Sequence, residues 1–573
     1  MVEKSRTGRE NDAILVDAGD FSMGTLFHTS FMQEGSELRL MGQMGYDAIT
    51  FGNHDFDFRP EGLAKALRAA KGKAVRLPKI VASNTVFADK DGDASLKSAF
   101  QDFPVEEFTI LTRNGVRIGI FGLMGKVAAD DAPSSDPVSF ADPVESGRRM
   151  ADILRNREKA DVIVCLSHSG TSPIPKYSED EILARKVPEI DVIISGHTHT
   201  VLPKPIVAGK TVIASAGCYG SHLGSMEFEF VRGKGVKLLS YRLDPVAPGI
   251  PDDPAVAAEI RKFKKIVERE YLLPRGYRFD QVIAESPFDM ESLDSLFSRP
   301  REAGIGNLIA DAFRSGVKKA EGRRYEHVHL AIVPYGYIRD SFTRGPQTAD
   351  DVFRVLSLGL GPDGTAGSPL VAYYIRGKEV KDLLEVETTL SSSNPDAHLQ
   401  ASGVRFTFNP NRMPFDRVDS VFLQDPDGRY LPADPERLYR ISMNFNIAKM
   451  IDYVRKKSHG LMGIVPKDRE GRPLADLNSA VIYEQSGSGK RELKDWQALA
   501  DYMGSFPRSG GGIPGIPAGY GAPEGRIVST ASWNPVDLVR GGNAITWGAL
   551  LVLVVLAAAA AFTVRKIILL RRR

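Results

Sequence analysis

Side chains that can bind metal ions follow four apolar segments in the first 200 residues. The segments end at Asp20, at the run Asn53-His54-Asp55, at His168, and at His197 with His199. The β-branched composition of the segments is typical of buried parallel strands. Open α/β sheets bind ligands at the carboxyl edge of such strands, so these side chains are expected to converge. Four of the ten histidines lie at these ends, which favours a metal site.

Each of these residues also has an ordinary structural interpretation when taken alone. Asp20 at a strand end could cap a helix or close a turn. His168 could be a hydrogen-bonded histidine of the core. Folding does not require ligand-type residues at four apolar strand ends together, however, so the four segments jointly predict a metal centre.

The segments Gly19-Asp20, Gly52-Asn53-His54-Asp55, His168 and Gly196-His197-Thr198-His199 stand in the order found in calcineurin-like metallophosphoesterases. The chain resembles this family and, over roughly residues 10 to 500, more narrowly the bacterial 5′-nucleotidase and UDP-sugar hydrolase family. The resemblance implies an αββα sandwich followed by a second α/β domain. It also implies phosphoester hydrolysis with two divalent metal ions and a metal-activated water. The ions could be Mn, Zn, Fe, Co or Mg.

The resemblance assigns a role to each metal-binding candidate. Asp20 would bridge both cations, and His199 would serve the first. Asn53, His168 and His197 would complete the second.

The resemblance further implies a catalytic pair, His54 and Asp55. His54 would face the phosphoryl group, stabilise its charge and protonate the leaving oxygen. Asp55 would orient His54, and a carboxylate partner raises the pKa of a histidine.

One motif of the family is missing. The family opens with a strand ending in Asp-x-His, and the nineteen residues before Asp20 contain no such motif. The polar stretch Met1 to Asn11 is similar to the tail of the family's first helix. We interpret this as a truncated gene model; the alternative is a degraded first metal site. Because only Asp20 and His199 would remain for the first metal, we expect that ion to bind poorly.

Length and composition limit the possible classes of protein. A chain of 573 residues is expected to form two or three domains. A net charge of +2 gives no reason to expect nucleic-acid binding. Two cysteines are too few for a disulfide framework, and Cys165 lies in a buried-strand pattern.

The carboxyl-terminal region predicts a transmembrane helix at residues 544–564. Ala544 to Val564 carries no charge and is long enough to cross a hydrocarbon core. Trp533 and Trp547 lie at one end. A basic tail, 565–573, follows at the other and should be cytoplasmic, which places the preceding domains in the periplasm or at the cell surface. Met1 to Asn11 has no apolar export signal. A misplaced start would account for the missing export signal and for the missing Asp-x-His motif.

The remaining pattern suggests how the chain is divided. Residues 1–250 are expected to form the metallophosphoesterase domain, 251–274 a linker helix, 275–503 the substrate-binding domain, and 504–543 a Gly/Pro-rich extended tether. In the first domain, a helix is predicted at Pro60 to Ala70.

Arginines and aromatic residues are the candidate substrate contacts in the second domain. Arg339 lies where the family has an Asn-Gly-Gly-x-x-Arg loop, so it would clamp a phosphate, and Arg405 is a second candidate. Either could instead be a surface salt-bridge arginine. The family's Gly-Gly-Asp-Gly-aromatic loop is missing, and base stacking is left to Phe406, Phe353, Phe408 or Phe445. Tyr335 and Tyr337 are expected to give the substrate bulkier walls.

These observations predict a membrane-anchored hydrolase of nucleoside 5′-phosphates or related nucleotides and nucleotide sugars. Its partners would be a small-molecule phosphoester and the membrane, with no nucleic acid and no obligate protein partner. One alternative is a catalytically impaired, membrane-tethered ligand-binding protein of the same fold. Another is a sulfur-oxidation relative.

Overall fold

The computed structural model describes residues 1–2, 12–233, 235–392, 394–457, 463–486, 489–508 and 512–571. The chain forms two compact units, residues 1–279 and 280–573. Most of the polar opening, the glycines at 510–511 and the last two arginines lie outside the described residues.

Fourteen strands lie in the described part of the first unit: β1 (Val16–Asp17), β2 (Ala48–Ile49), β3 (Lys79–Val81), β4 (Thr85–Val86), β5 (Val105–Glu106), β6 (Phe108–Arg113), β7 (Val116–Met124), β8 (Ser139–Phe140), β9 (Val162–His168), β10 (Val192–Ser195), β11 (Ile206–Ala208), β12 (Thr211–Ala214), β13 (His222–Val231) and β14 (Gly235–Pro245). A parallel sheet has the order β1-β2-β3-β5. A mixed sheet has the order β11-β12-β10-β9-β7-β6, with β11 and β6 antiparallel at its edges. The remaining strands pair as β4-β8 and β13-β14.

The two larger sheets pack face to face, because alternate residues of β9 enter different cores. Val164 and Leu166 pack with Ala48 and Val81 of the parallel sheet. Cys165 points the other way, into a core formed with the flanking helices. This is the period-two alternation of a strand buried on both faces.

The α-helices in the described part of the first unit are α1 (Phe31–Glu34), α2 (Ser36–Met44), α3 (Arg59–Lys73), α4 (Ala94–Asp102), α5 (Lys126–Asp130), α6 (Pro143–Asp152), α7 (Glu179–Lys186) and α8 (Pro254–Val267). Helix α3 includes the predicted helix. Met150 of α6 and Leu183 of α7 lie in the outer core beside β9.

The predicted linker helix is part of the first unit. Helix α8 buries Phe263 and Val267, and Glu259 forms a 2.5 Å ion pair with Arg39 of α2. A helix is therefore present within 251–274, and its apolar stripe packs on the first unit. The role of this segment as a linker between the two domains stays a prediction.

Twelve more strands lie in the described part of the second unit: β15 (Val282–Ser286), β16 (Leu330–Pro334), β17 (Gly345–Thr348), β18 (Leu370–Arg376), β19 (Leu399–Ser402), β20 (Val404–Phe408), β21 (Val418–Gln424), β22 (Tyr430–Pro432), β23 (Leu438–Asn444), β24 (Tyr483–Ser486), β25 (Gly489–Glu492) and β26 (Ile527–Ser529). Two four-stranded sheets have the orders β18-β23-β16-β19 and β22-β21-β20-β26. Their apolar residues share a core that includes Ile332, Phe406 and Ile441.

The α-helices of the second unit are α9 (Leu293–Ser298), α10 (Gly304–Glu321), α11 (Ala349–Val355), α12 (Gly377–Leu390), α13 (Phe445–Lys457), α14 (Asp495–Gly504), α15 (Pro535–Val539) and α16 (Ala544–Arg571). Within the described residues, Ala544–Arg565 is the helical stretch long and apolar enough to cross a membrane, with a mean hydropathy of 2.4.

The predicted tether at 504–543 is wrong for most of its length. Strand β26 pairs in parallel with β20. Arg526 is buried and forms an ion pair with Asp311 at 2.8 Å. Glycine and proline content suggested an extended linker, but long-range pairing holds this segment on the second unit.

Candidate active site

The loop after β1 places Asp20 beside the loop after β2. Gly19 has φ of 95° and Asp20 has φ of 60°, a left-handed turn that reverses the chain. A Cβ atom at Gly52 would lie 2.1 Å from Asp20 Oδ1, so only glycine allows this approach. The main-chain N–H of His54 then donates to Asp20 Oδ1 at 2.8 Å.

Four of the predicted ligands converge. His168 Nε2 lies 3.1 Å from Asp20 Oδ2 and 3.1 Å from Asn53 Oδ1. His197 Nδ1 lies 3.1 Å from the same Asn53 oxygen. Asp20 and Asn53 come from the parallel sheet and the two histidines from the mixed sheet. The site therefore lies at the carboxyl ends of two facing sheets, where the sequence had suggested one sheet edge.

The orientation of His168 suits a metal ligand. The carbonyl oxygen of Ala18 lies 2.7 Å from Nδ1, and a carbonyl can only accept a hydrogen bond. Nδ1 therefore carries a proton, which leaves Nε2 to face Asp20 and Asn53. A backbone or carboxylate partner on the second ring nitrogen is the usual support of a metal-binding histidine.

Burial and neighbouring charges shift the pKa values of the cluster residues in different directions. Burial opposes ionisation of Asp20, but the charges and hydrogen bonds of His168 and His54 hold its pKa well below its usual range. Burial also lowers the pKa of His168, but the charge and hydrogen bond of Asp20 outweigh it and raise that pKa to about 9. Burial, and then the charge of His168, lower the pKa of His197 to about 3. The field that holds a proton on His168 would equally attract a cation.

The donor set fits one divalent cation. Ligands bound at about 2.0–2.1 Å and at right angles lie about 3 Å apart, close to the separations in this cluster. The set includes the amide of Asn53. Among the described residues, no group of three or more His, Cys, Asp or Glu side chains alone could hold a metal ion.

His199 is the predicted ligand that the cluster's described hydrogen bonds do not include. Its ring packs edge-on against Tyr219, with centroids 5.7 Å apart. Its charge still contributes to the low pKa of His197, so it lies in the neighbourhood. Its role as a ligand of a first metal stays a prediction.

The carboxylate that contacts His54 is Asp57. His54 Nδ1 lies 2.9 Å from Asp57 Oδ2. The predicted partner, Asp55, is fully buried and accepts hydrogen bonds from Asp20 N, Gly52 N, Ser22 N and Ser22 Oγ at 2.7–3.2 Å. The expectation that Asp55 orients His54 is wrong, because Asp55 instead holds the two loops together.

The local backbone explains why Asp57 contacts His54. Residues 53–56 form a 3-10 helix, and side chains three apart on such a turn lie on the same face. The adjacent residue, Asp55, therefore points elsewhere, whereas Asp57 comes back over His54.

Arg339 lies at the end of the 3-10 turn that follows β16. Its N–H donates to Val355 O at 2.9 Å, and a guanidinium N–H donates to Gly336 O at 3.3 Å. Its charge acts on the carboxyl of Asp396, whose pKa burial raises. The side chain is half-buried, and its substrate contact stays a prediction.

The other residues of the second unit that were predicted to contact substrate differ in how far they are buried. Phe406 is 1% exposed, so its side chain belongs to the core and base stacking by it is ruled out. Phe353 and Phe445 are buried as well, which leaves Phe408 half-buried. Arg405, on the opposite face of β20, lies 4.4 Å from the ring centroid of Tyr430.

Tyr335 does not form a bulky wall. It is fully buried, and its hydroxyl group hydrogen-bonds with the main chain of Arg301. Tyr337 packs partly against the core.

Each of the two units matches a known protein family. Residues 1–201 match the calcineurin-like phosphoesterase family, and residues 282–453 match the family described as 5′-nucleotidase, C-terminal domain. The chain belongs to the calcineurin-like phosphoesterases that carry a 5′-nucleotidase C-terminal domain. The expected family and the two-domain α/β fold are thereby confirmed.

Individual relatives agree with this assignment. The phosphoesterase is 28% identical to the trifunctional nucleotide phosphoesterase YfkN of Bacillus subtilis over 76% of the chain, but it spans only 29% of that protein. It is 26% identical to a 5′-nucleotidase of Diplobatis ommata over 77% of the chain and 74% of the relative. Its fold matches that of a 5′-nucleotidase precursor from Thermus thermophilus with a TM-score of 0.65, at 24% identity and 92% coverage of both chains.

Proposed function

We propose that this phosphoesterase hydrolyses nucleoside 5′-phosphates or related nucleotides, using a divalent cation held by Asp20, Asn53, His168 and His197. The observation that carries the proposal is the network of 3.1 Å separations between these donors, with the main chain of His54 hydrogen-bonded to Asp20. An ionised carboxylate, an amide and two imidazoles form a donor set suited to such a cation.

The residues around the cluster suit phosphoryl transfer. When bound, the cation would supply Lewis acidity and activate a water molecule. His54 would interact with the phosphoryl oxygens and donate a proton to the leaving oxygen. Asp57 would fix the ring of His54 through its contact with Nδ1. Asp55 would keep the Asp20 loop in position.

Nucleotides are the substrate class that the relatives favour. The two relatives described above are named as a nucleotide phosphoesterase and a 5′-nucleotidase. Arg339 is the cation that we propose for a phosphate of the substrate. With Phe353, Phe406 and Phe445 buried, the half-buried Phe408 is the remaining candidate for base stacking.

The test is His54→Ala with metal content measured in parallel. Turnover of a nucleoside 5′-monophosphate should fall by about 10²-fold or more, while bound metal is retained because His54 donates no ligand atom. His222→Ala, a half-exposed histidine of the same unit, is the matched control. Wild-type turnover in His54→Ala would refute the role of His54.

The same assay separates the alternatives. A ligand-binding protein would bind nucleotides without turnover in any divalent cation. A sulfur-oxidation relative would leave nucleotides unhydrolysed and act on a sulfur substrate. The nucleotide-related names of the two relatives favour the hydrolase.

We also infer that Ala544–Arg565 anchors the enzyme in a membrane, with both units on the extracytoplasmic side. The helix has the required length and composition, and arginine follows its apolar run. Retention in the membrane fraction after alkaline carbonate washing would support the anchor, and release would contradict it.

A further inference from the structure

The start of helix α16 is held by the loop between β20 and β21, residues 409–417. The carboxylate of Asp416 accepts the N–H of Asn543 at 3.1 Å and the hydroxyl of Thr546. The side chain of Asn543 donates to Phe415 O at 2.7 Å. Asp416 and Thr546 are buried, so the first turn of the helix is built into the second unit.

The preceding segment is held by the same loop. Arg412, also buried, lies 3.2 Å from Asp416 and donates to Arg540 O at 3.0 Å. The amide of Asn409 donates to Ser532 O at 2.9 Å. The chain from residue 532 to the helix is therefore fixed by side-chain contacts.

The length of the helix sets the height of the loop above a bilayer. The 22 residues of Ala544–Arg565 rise by about 33 Å, and a hydrocarbon core is about 30 Å thick. The whole apolar stretch is needed to cross it. With this stretch spanning a bilayer, the 409–417 loop would lie at the level of the lipid headgroups, because the first turn of the helix contacts Asp416.

Apolar side chains of this loop and of the adjoining terminal segment are exposed. Met413 and Phe415 in the loop, and Trp533, Val536 and Trp547 in the terminal segment, all expose more than a third of their surface. Tryptophan is enriched where membrane meets water, because its ring has an apolar body and a polar N–H. These five residues form what we call the seating surface.

We propose that the seating surface rests in the headgroup layer of a phospholipid bilayer, so that the second unit stands directly on the membrane. The proposal depends on the membrane anchor inferred above and is independent of the hydrolase assignment. It replaces a flexible tether with a fixed contact between the enzyme and the lipid.

The tryptophans provide the test. The full-length protein is reconstituted in phosphatidylcholine nanodiscs, with or without lipid brominated in the upper acyl chain. Trp547→Phe leaves Trp533 and the fully buried Trp496 as emitters, and Trp533→Phe leaves Trp547 and Trp496. Brominated lipid should quench part of the emission in both variants, since Trp496 is shielded.

The outcomes distinguish the two proposals. Quenching in Trp533→Phe alone would show an inserted helix with the domain held off the surface, which overturns the seating surface and keeps the anchor. Quenching in neither variant would overturn both, and nucleotide turnover would still test the hydrolase. A dimer by mass photometry with Trp533 unquenched would assign the surface to a second copy and overturn the proposal.

A second variant tests the clamp itself. Thr546→Val removes the hydroxyl donor to Asp416. Combined with Trp547→Phe it should reduce the quenching of Trp533, and combined with Trp533→Phe it should leave Trp547 quenched. Thr563→Val, whose hydroxyl donates within the helix to Ala559 O, is the matched control and should change neither. Unchanged Trp533 quenching in Thr546→Val would show that the contact with Asp416 does not seat the domain.

Discussion

Nδ1 of His54 lies 2.9 Å from Oδ2 of Asp57, three residues further along the chain. This contact fixes the rotation of the imidazole. The neighbouring Asp55 makes its hydrogen bonds to main-chain and serine donors. We therefore propose separable roles for the two aspartates, with Asp57 supporting turnover and Asp55 supporting the folded loops.

Asp57→Asn should lower kcat by about 10- to 100-fold with little change in thermal stability, because it removes the charge that orients His54. Asp55→Asn should lower the free energy of unfolding by about 1–3 kcal/mol, because its NH₂ group would face N–H and O–H donors. Kinetics and thermal unfolding of both variants are the measurements. A stability loss confined to Asp57→Asn would contradict this division.

Gly52→Ala should lower turnover by about 10²-fold. Its Cβ would lie 2.1 Å from Asp20 Oδ1, so the loop or the carboxylate must move. Gly72→Ala is the matched control: no atom approaches within 4 Å of its Cβ, and in helix α3 the substitution should stabilise by about 0.5–1 kcal/mol. Equal activity of the two variants would show that the close approach is not required.

The donor cluster predicts about one tightly bound divalent ion per chain. His168→Ala and Asn53→Ala should each weaken that binding by about 10-fold or more, and His222→Ala should leave it unchanged. Metal content after dialysis, measured by mass spectrometry, is the check. Two tightly bound equivalents per chain would indicate a second donor set that includes residues outside this cluster.

Asp495 gives a prediction for pH. Burial raises its pKa from 3.8 to about 7, although Trp496 N and Asn444 Nδ2 donate hydrogen bonds to it. Between these values the unfolded chain releases the proton and the folded chain keeps it. The free energy of unfolding therefore falls as pH rises, by at most about 1.4 kcal/mol per pH unit, and the effect ends above pH 7.

Asp495→Asn has no titrating carboxyl group at this position. As pH rises from 4.5 to 7 the wild type loses this stabilisation and the variant does not, so the Tm of the variant should rise relative to that of the wild type. The exposed Asp294→Asn is the control variant. A pH-independent difference in Tm between Asp495→Asn and the wild type would contradict the raised pKa.

The parts of the fold that could be predicted are those that depend on local sequence patterns. Four apolar strand ends bearing Asp20, Asn53, His168 and His197 indicated a convergent donor set, and the structure brings these residues together. Strand β9 is buried throughout, as its uninterrupted apolar run suggested.

The parts that could not be predicted depend on side-chain direction and distant contacts. The alternation along β20 places Phe406 in the core, a consequence visible only once the buried face of that strand is known. Residues 527–529 pair with β20, more than a hundred residues earlier, and composition alone gave no sign of that partner. The sequence did not show that Asp57, and not Asp55, contacts His54, because the four-residue 3-10 turn is too short to give a periodic pattern.

Asp20, His197 and His199 all occupy left-handed backbone conformations, with φ of 60°, 66° and 55°. Residues with side chains reach this region only at a cost. If these side chains bind the metal ions as proposed, hydrolytic capacity is maintained against the conformational preference of the backbone. Lineages that lost the need for catalysis would be expected to drift towards glycine at these three positions and to become more heat-resistant.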